Sequence, residues 1–330
     1  MNEAEKRLQE RYGKKLGALA AEFPWNSQLL DLLSHRSVRA YLPDPLPEGT
    51  LDVLIAAAQS AATSSNLQTW SVVAVTDPAR KERLSVLAAN QAHIRQCPLF
   101  LVWLADLARL RHTAQRLGLP EAGLDYLEMF VMAVVDAALA AQNAVVAAES
   151  LGLGTVYIGA MRNRPEEVAA ELQLPPGVFA VFGLCLGYPD PARPAATKPR
   201  LPARAVLQRE TYAPLESQEP AIEEYDQTMR AFYQQQQMAV ADDWSHHSAR
   251  RIAGPASLIG PRPAAGRPRP TRLRAALINP PLTAQEIPEP DAGLFLFVLN
   301  SKTRPPCSGG EPRTPACDRR TGEVELKLCY

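Results

Sequence analysis

The chain has 330 residues, enough for one large domain or two ordinary ones. Apolar residues make up 46% of it, which supports a sizeable core, and the formal net charge of zero argues against nucleic acid or an anionic membrane as a partner of the whole chain. Five cysteines without a CxxC pair give neither a disulfide framework nor a zinc site.

The N-terminal part predicts a helical extension followed by a cationic cluster. Residues 1–22 are charged, follow a helical pattern and lack the apolar core of a signal peptide, so a cytoplasmic location is expected. Residues 28–39 are predicted to form a short helix that ends in the cluster. The cluster reads His35, Arg36, Ser37, Val38 and Arg39. Such side chains suit phosphate oxygens, although a cluster of this kind is more often a solvated turn.

Helices and strands alternate through the middle of the chain. The proline-rich residues 41–47 predict an extended connector, and the hydroxyl-rich residues 61–68 predict a loop. Helices are predicted at 51–60, at 79–90, near 124–151 and from Arg164-Pro165 onward, and strands at 70–75, 99–105, 155–158 and 180–187. The alternation indicates an α/β or α+β fold with a helix-covered sheet.

The longest apolar segment, residues 130–148, predicts a buried helix. It contains Asp136, Gln142 and Asn143, most of which a membrane span would exclude. Apolar residues cover nearly every face of it, which is typical of a core helix. We therefore expect no membrane association.

The character of the chain changes after about residue 255. Residues 255–330 hold 13 of the 30 prolines and three of the five cysteines, a composition that predicts a mostly disordered tail. The other two cysteines, Cys97 and Cys185, lie in apolar runs and are expected to be reduced core residues. The predicted organisation is an extension over 1–27, a folded domain over 28–255 and a Pro/Arg/Gly-rich tail over 256–330.

Motifs of nucleophilic, zinc-protease and nucleotide-binding enzymes are absent from the sequence. Gly152-Leu153-Gly154 lacks the third glycine of a dinucleotide fingerprint, because position 157 is tyrosine, and it follows a helix. Gly152 is better explained as a helix cap, whereas Gly159 would let the backbone approach a flat ligand. An enzyme without acid–base or nucleophilic groups relies on a cofactor for its chemistry, and no metal site is expected.

Six motifs, in order, resemble the nitroreductase family of FMN-dependent oxidoreductases, and within it the NADPH-dependent, oxygen-insensitive nitroreductase and flavin reductase branch. The motifs are residues 35–39, 62–70, Gln91 with His93, 148–159, 182–189 and Lys198-Pro199-Arg200-Leu201-Pro202. Each is weak alone, but six in the family's order are specific. The resemblance covers about residues 28–255.

The resemblance implies a nitroreductase-like FMN-binding fold and a domain-swapped homodimer with FMN at each of two interface sites. The FMN phosphate would be held by Arg36, Ser37, Lys198 and Arg200, next to His35. Arg39 would lie near the pyrimidine edge of the flavin and support its negative charge when reduced. Ser64, Asn66 and Gln68 would line the ribityl chain and ring, Gln91 and His93 would reach ring or ribityl oxygens, and Tyr157, Ile158 and Gly159 would pass over the central ring. No side chain is implied as the catalytic acid, base or nucleophile.

The activity implied is hydride transfer from NAD(P)H to a small aromatic acceptor by a ping-pong scheme. Nitroaromatics, quinones and free flavin are the candidate acceptors. Two alternatives remain open: a flavin-binding module with an interaction tail, and a specialised relative such as a dehalogenase.

The coenzyme-binding segment departs from the family's pattern. After Phe232-Tyr233 the family carries arginines for the NADPH 2′-phosphate, whereas this chain has glutamines at 234–237. Arg230, Arg250 and Arg251 are the remaining candidate cations. We expect NADPH to be used with weaker discrimination against NADH.

Overall fold

Four strands form an antiparallel sheet at the centre of the protein. In the computed structural model, which describes residues 2–13, 23–238, 242–254 and 257, they are β1 Trp70–Val75, β2 Leu99–Asp106, β3 Gly154–Ile158 and β4 Val178–Gly187. Their order is β1-β2-β4-β3, and each neighbouring pair is antiparallel. All four predicted strands are confirmed within two residues. The antiparallel pairing assigns the fold to the α+β class.

Helices cover both faces of the sheet. Those in the described residues are α1 Glu3–Tyr12, α2 Ser27–Ser34, α3 Thr50–Gln59, α4 Pro78–Leu87, α5 Ala92–Gln96, α6 Ala108–Leu117, α7 Leu127–Ser150, α8 Pro165–Leu172, α9 Ala203–Val206, α10 Glu219–Gln235 and α11 Trp244–Arg251. Short 3₁₀ helices lie at Ser64–Asn66, Ala122–Asp125, Gly159–Asn163 and Leu215–Gln218. Residues 14–22 and nearly all of the predicted tail lie outside the described residues.

The two faces of β2 define two apolar cores. Phe100, Val102 and Leu104 pack with side chains of α4, α5 and α8. Leu101 and Trp103 point the other way and pack with α3 and α7. Successive side chains of a strand alternate between faces, so a strand that is apolar at every position is buried on both sides. Cys97 and Cys185 are buried free thiols, as predicted.

The long helix α7 is buried on one face only. Its buried side is rich in alanine, and the small side chains allow α3 and the sheet to approach closely. Its other side exposes Leu127, Val131, Val135 and Leu139, which recur every four residues. By length and composition α7 could cross a membrane. Within the single chain, the predicted burial of this helix is therefore confirmed for one face, and this stripe is exposed.

The cationic cluster is extended rather than helical. Helix α2 ends at Ser34, where the chain turns at His35. Ser37 then forms a parallel bridge with Thr155 of β3, and the Val38 N–H donates to the Thr155 carbonyl at 2.8 Å. The predicted helix over 28–39 is thus too long, because pairing with the sheet edge overrides the local helical pattern.

Candidate functional site

The cationic segment is fixed beside β3 by side chains on both sides. His35 Nδ1 lies 2.8 Å from Glu149 Oε1, in the last turn of α7, and the same oxygen accepts from Thr155 Oγ1 at 2.9 Å. At the other end, the buried Tyr41 hydroxyl donates to the Val38 carbonyl at 2.7 Å. The segment is held at a set position on the sheet edge, so the backbone positions of Arg36 and Arg39 are also set, while their side chains are exposed.

Cations from two segments, 35–39 and 198–200, meet next to this strand, and a histidine from a third segment lies close to them. Burial lowers the pKa of Lys198, and the nearby Arg39 and Arg200 lower it further. Burial and Arg39 likewise lower the pKa of His93 to about 4, so the imidazole is neutral at pH 7. Like charges gathered with partial burial repel one another, and an anion among them removes that cost.

His93 reaches this cluster from the start of α5, two residues after Gln91. The Gln91 carbonyl accepts from Ser85 Oγ at 2.9 Å, which fixes the backbone there. His93 Nε2 is buried and has no hydrogen-bond partner among the described residues. A buried polar nitrogen without a partner is costly, so it marks a place where a ligand atom would complete the site.

The end of β3 forms the adjoining surface. The Tyr157 hydroxyl donates to Gln142 Oε1 at 3.3 Å, and its ring packs edge-on against Phe182 with centroids 5.1 Å apart. Burial raises the pKa of Tyr157, so it stays protonated. Ile158 is buried, whereas Gly159 is exposed and begins a 3₁₀ turn, so the backbone is accessible at this glycine between the partly exposed Tyr157 ring and the Arg162 guanidinium.

The hydroxyl-rich loop is held by one buried carboxylate. Asp136 Oδ2 accepts from Thr63 Oγ1 at 2.6 Å, from the Thr69 N–H at 3.0 Å and from Thr69 Oγ1 at 2.9 Å. Between these anchors the loop holds three residues at positive φ, Ser65, Asn66 and Gln68. Non-glycine residues seldom adopt this conformation, so the anchors impose it.

The predicted site residues fall into two groups. The loop with Ser64, Asn66 and Gln68 leads into β1 at Trp70. Trp70 pairs with Ala105 of β2, which in turn pairs with Phe179 near the start of β4. The cations lie beyond β3 at the opposite edge, where Thr155 aligns with Leu186. The two groups are four strand spacings apart across the sheet, from β1 to the 35–39 segment. Along the strands they are seven residues apart, from Phe179 to Leu186, so the distance between them is roughly 30 Å. One chain therefore does not bring the two groups together.

A cavity of about 1120 Å³ adjoins the cationic segment. Of the predicted site residues it meets only Arg36; its other walls include Lys6 from α1, the segment 189–197 and Phe232 of α10. The remaining predicted residues lie on open surfaces or in the buried cluster. This open cavity is thus not the whole predicted site.

The candidate coenzyme cations already have acidic or carbonyl partners. Arg230 Nη2 lies 2.7 Å from Asp243 Oδ2. Arg250 pairs with Asp242, and Arg251 donates to the Ser257 carbonyl. The glutamines at 234–237 lie at the exposed end of α10. An incoming 2′-phosphate would have to compete with these partners.

Sequence reasoning missed three residues that shape the site, namely Arg11, Asp136 and Glu149. Glu149 lay inside a recognised motif but carried no assigned role. Asp136 was noted only as a charge inside an apolar run, and that isolation is itself a signal, because a buried carboxylate needs donors around it. Arg11 lies in the extension, where nothing in its helical pattern distinguished it.

Comparison with known proteins identifies the class. The model of the nitroreductase family matches residues 32–188, and that of the nitroreductase family C-terminal domain matches residues 198–267. The chain is 40% identical over 213 residues to the FMN reductase (NADPH) of Bacillus subtilis, which covers 64% of this chain and 84% of that protein. The chain belongs to the nitroreductase family.

Other relatives agree. The oxygen-insensitive NADPH nitroreductase of Salmonella typhimurium is 40% identical over 222 residues, 67% of this chain and 89% of that protein. Among solved structures, the NADPH:FMN oxidoreductase of Vibrio harveyi in complex with NAD⁺ superposes with a TM-score of 0.62 at 36% identity, covering 69% of this chain and 92% of that one. The structure of NfrA2 of B. megaterium superposes with a TM-score of 0.66 at 38% identity, covering 70% of this chain and 92% of that one.

Proposed function

We propose that this chain is an FMN-dependent NAD(P)H oxidoreductase that reduces nitroaromatics, quinones or free flavin by a ping-pong scheme. The observation that carries the proposal is the cluster of Arg39, Lys198 and Arg200 with the His93 nitrogen, which has no partner among the described residues. Arg39 belongs to the segment that pairs with β3 at Thr155. The relatives named FMN reductase and NADPH nitroreductase support the same activity.

The residues present fit FMN. Its phosphate supplies the anion that the mutually repelling cations require, and arginine offers a planar fork of donors for it. His93 Nε2 offers a hydrogen-bonding atom that has no partner in the part of the chain that the structure describes. The exposed backbone after β3 suits a flat ring system. When bound, FMN would supply the acceptor and donor of the hydride.

Each group of residues has a separate task in this proposal. Arg36, Ser37, Lys198 and Arg200 bind the phosphate, with His35 held alongside by Glu149. Arg39 lies close to His93 and Lys198 and supplies positive charge at the pyrimidine edge, which favours the reduced state electrostatically. Gln91, His93 and the backbone of Tyr157, Ile158 and Gly159 orient the ring. Ser64, Asn66 and Gln68 line the other side.

A homodimer follows from the separation of the two groups. Because they lie roughly 30 Å apart within one chain, Ser64, Asn66 and Gln68 would reach the flavin of a second copy. The exposed stripe of Leu127, Val131, Val135 and Leu139 on α7 offers an apolar surface for such a contact. This arrangement gives two equivalent sites across a two-fold axis.

We place the reaction in the cytoplasm, where NAD(P)H is made and used. The acceptor would occupy the same face of the ring after the oxidised coenzyme leaves, so the site must be open to both. An open, flat site predicts loose selectivity among aromatic acceptors.

Initial-rate kinetics test the proposal. With the FMN-loaded protein freed of unbound flavin, which could itself act as an acceptor, rates are measured against NADPH at several fixed concentrations of a quinone. A ping-pong scheme gives parallel double-reciprocal lines, whereas intersecting lines would show that both substrates bind together. The absence of coenzyme oxidation with a quinone, a nitroaromatic and free flavin alike would contradict the enzymatic role and favour a flavin-binding module.

A further inference from the structure

Arg11 of α1 is a buried arginine in a part of the chain that precedes the family match. Its exposure is 5%, and α1 ends well before residue 32, where the matched region begins. Burial lowers the pKa of Arg11, and the nearby Arg200 lowers it further. A buried cation next to another cation is costly, so its position calls for compensating contacts.

Those contacts join two segments of the phosphate site. Arg11 Nη2 donates to the His35 carbonyl at 2.6 Å and to the Leu33 carbonyl at 2.8 Å. Its Nη1 donates to the Lys198 carbonyl at 3.2 Å, and the Arg200 N–H donates back to the Arg11 carbonyl at 2.9 Å. One guanidinium therefore bridges the start of the 35–39 segment and the 198–200 segment.

The bridge sets the distance between the cations that would meet the phosphate. Arg36 directly follows His35, whose carbonyl Arg11 binds. The backbones of Lys198 and Arg200 are hydrogen-bonded to Arg11 directly. Hydrogen bonds from a planar guanidinium have fixed directions, so the two backbones keep one spacing. Without the bridge, each segment would have to be ordered by the ligand, and binding affinity would fall by the free energy of that ordering.

We propose that Arg11 is a positioning residue for the FMN phosphate, supplied by the N-terminal helix. The inference rests on the proposed FMN site. It makes α1 part of the cofactor site, although Arg11 itself directs its donors to backbone carbonyls and not to the ligand.

The test compares the affinities of FMN and riboflavin, which differ only in the phosphate. Dissociation constants are measured by fluorescence titration of the flavin-free protein and of Arg11→Met. We expect FMN affinity to fall about ten- to a hundredfold, because the ligand must then order the two phosphate-binding segments, while riboflavin affinity changes less than about twofold. Equal losses for both flavins would mean a general structural role and would overturn the inference, as would an unchanged FMN affinity.

Two further variants sharpen the result. Arg11→Lys keeps the charge but cannot span three carbonyl groups with a planar fork, so it should recover FMN affinity only in part; full recovery would show that charge alone matters and would overturn the bridging role. The control variant, Arg111→Met, removes an arginine of α6 that pairs with Glu121 and Asp125. It should leave the ratio of FMN affinity to riboflavin affinity unchanged. If Arg11→Met does not fold, Arg11→Gln takes its place in the same comparison.

Measurements on the parent protein distinguish a failure of the proposed phosphate site from a failure of the role of Arg11 alone. If it binds FMN no more tightly than riboflavin, the proposed phosphate site fails and this inference fails with it. If it prefers FMN and Arg11→Met keeps that preference, only the role of Arg11 is overturned.

Discussion

Replacing Asp136 by alanine should loosen the loop over residues 63–69 and destabilise the protein. Asp136 is 1% exposed and accepts three short hydrogen bonds from Thr63 and Thr69. Removal of a buried charged acceptor leaves its donors unpaired, at about 1–3 kcal/mol each. Part of this is offset because a buried charge is removed and alanine favours the helix. We expect the free energy of unfolding to fall by about 3–5 kcal/mol, the range for removing one partner of a buried charged contact.

The same change should weaken flavin binding. Once the anchor is lost, Asn66 and Gln68 can leave their positive-φ conformations, which cost about 1–2 kcal/mol each. The loop would then have to be reordered by the ligand, so FMN affinity should fall about tenfold or more. Urea denaturation measures the first effect and flavin fluorescence titration the second.

The control lies on the same helix. Glu128 is exposed in the first turn of α7, and Glu128→Ala should change stability by no more than about 0.5 kcal/mol. Asp136→Asn keeps the size but turns an amide N–H group toward some of the donors, so an intermediate loss is expected. If the free energy of unfolding of Asp136→Ala lies within about 1 kcal/mol of that of the parent protein, the carboxylate does not organise the loop.

Four other predictions follow from the cationic side of the site. Arg36→Ala and Arg200→Ala should each lower FMN affinity about ten- to a hundredfold, and retention of FMN by the double variant through gel filtration would contradict the phosphate assignment. Arg39→Ala should lower the reduction potential of the bound flavin, because a counter-charge is lost; an unchanged potential would refute its electrostatic role. With glutamines at 234–237, the ratio of kcat/KM for NADPH over NADH should stay below about a hundredfold, and a larger ratio at low salt would reveal an unassigned cation. The pKa of His93, about 4 against an ordinary 6.5, means that the unfolded chain binds the proton more readily, so stability should fall as the pH drops from about 6.5 to about 4. Urea titrations of flavin-free His93→Gln should show a shallower fall, and an equal fall would refute the shift.

The strands and most helices of the main domain could be read from the sequence, because their patterns are local. The runs at Leu99–Asp106 and Val178–Gly187 are apolar at nearly every position, which is typical of strands covered on both faces. Their antiparallel order is set by long-range pairing, so the local patterns do not distinguish an α/β fold from an α+β fold. The helical pattern at 28–34 extended falsely into 35–39 because nothing local announces the bridge between Ser37 and Thr155.

The site was predictable where a residue type matches the ligand and hidden where it acts on other residues. Arginines in a recognised motif indicate phosphate directly. Arg11 and Asp136 act through backbone and hydroxyl groups far away in sequence, so only the folded chain reveals their partners. The roles of the 14 residues assigned from the resemblance stay predictions, as do the boundaries at 27 and 255. The tail remains a prediction too, since it lies almost wholly outside the described residues.

An anaerobic titration of the purified protein with NADPH tests the central claim most directly. We expect a yellow protein whose extracted cofactor is FMN, whose flavin absorption is lost with one NADPH per bound FMN, and whose absorption returns when a quinone is added. A protein that takes up no FMN, or whose bound flavin is left oxidised by both NADPH and NADH, would contradict it.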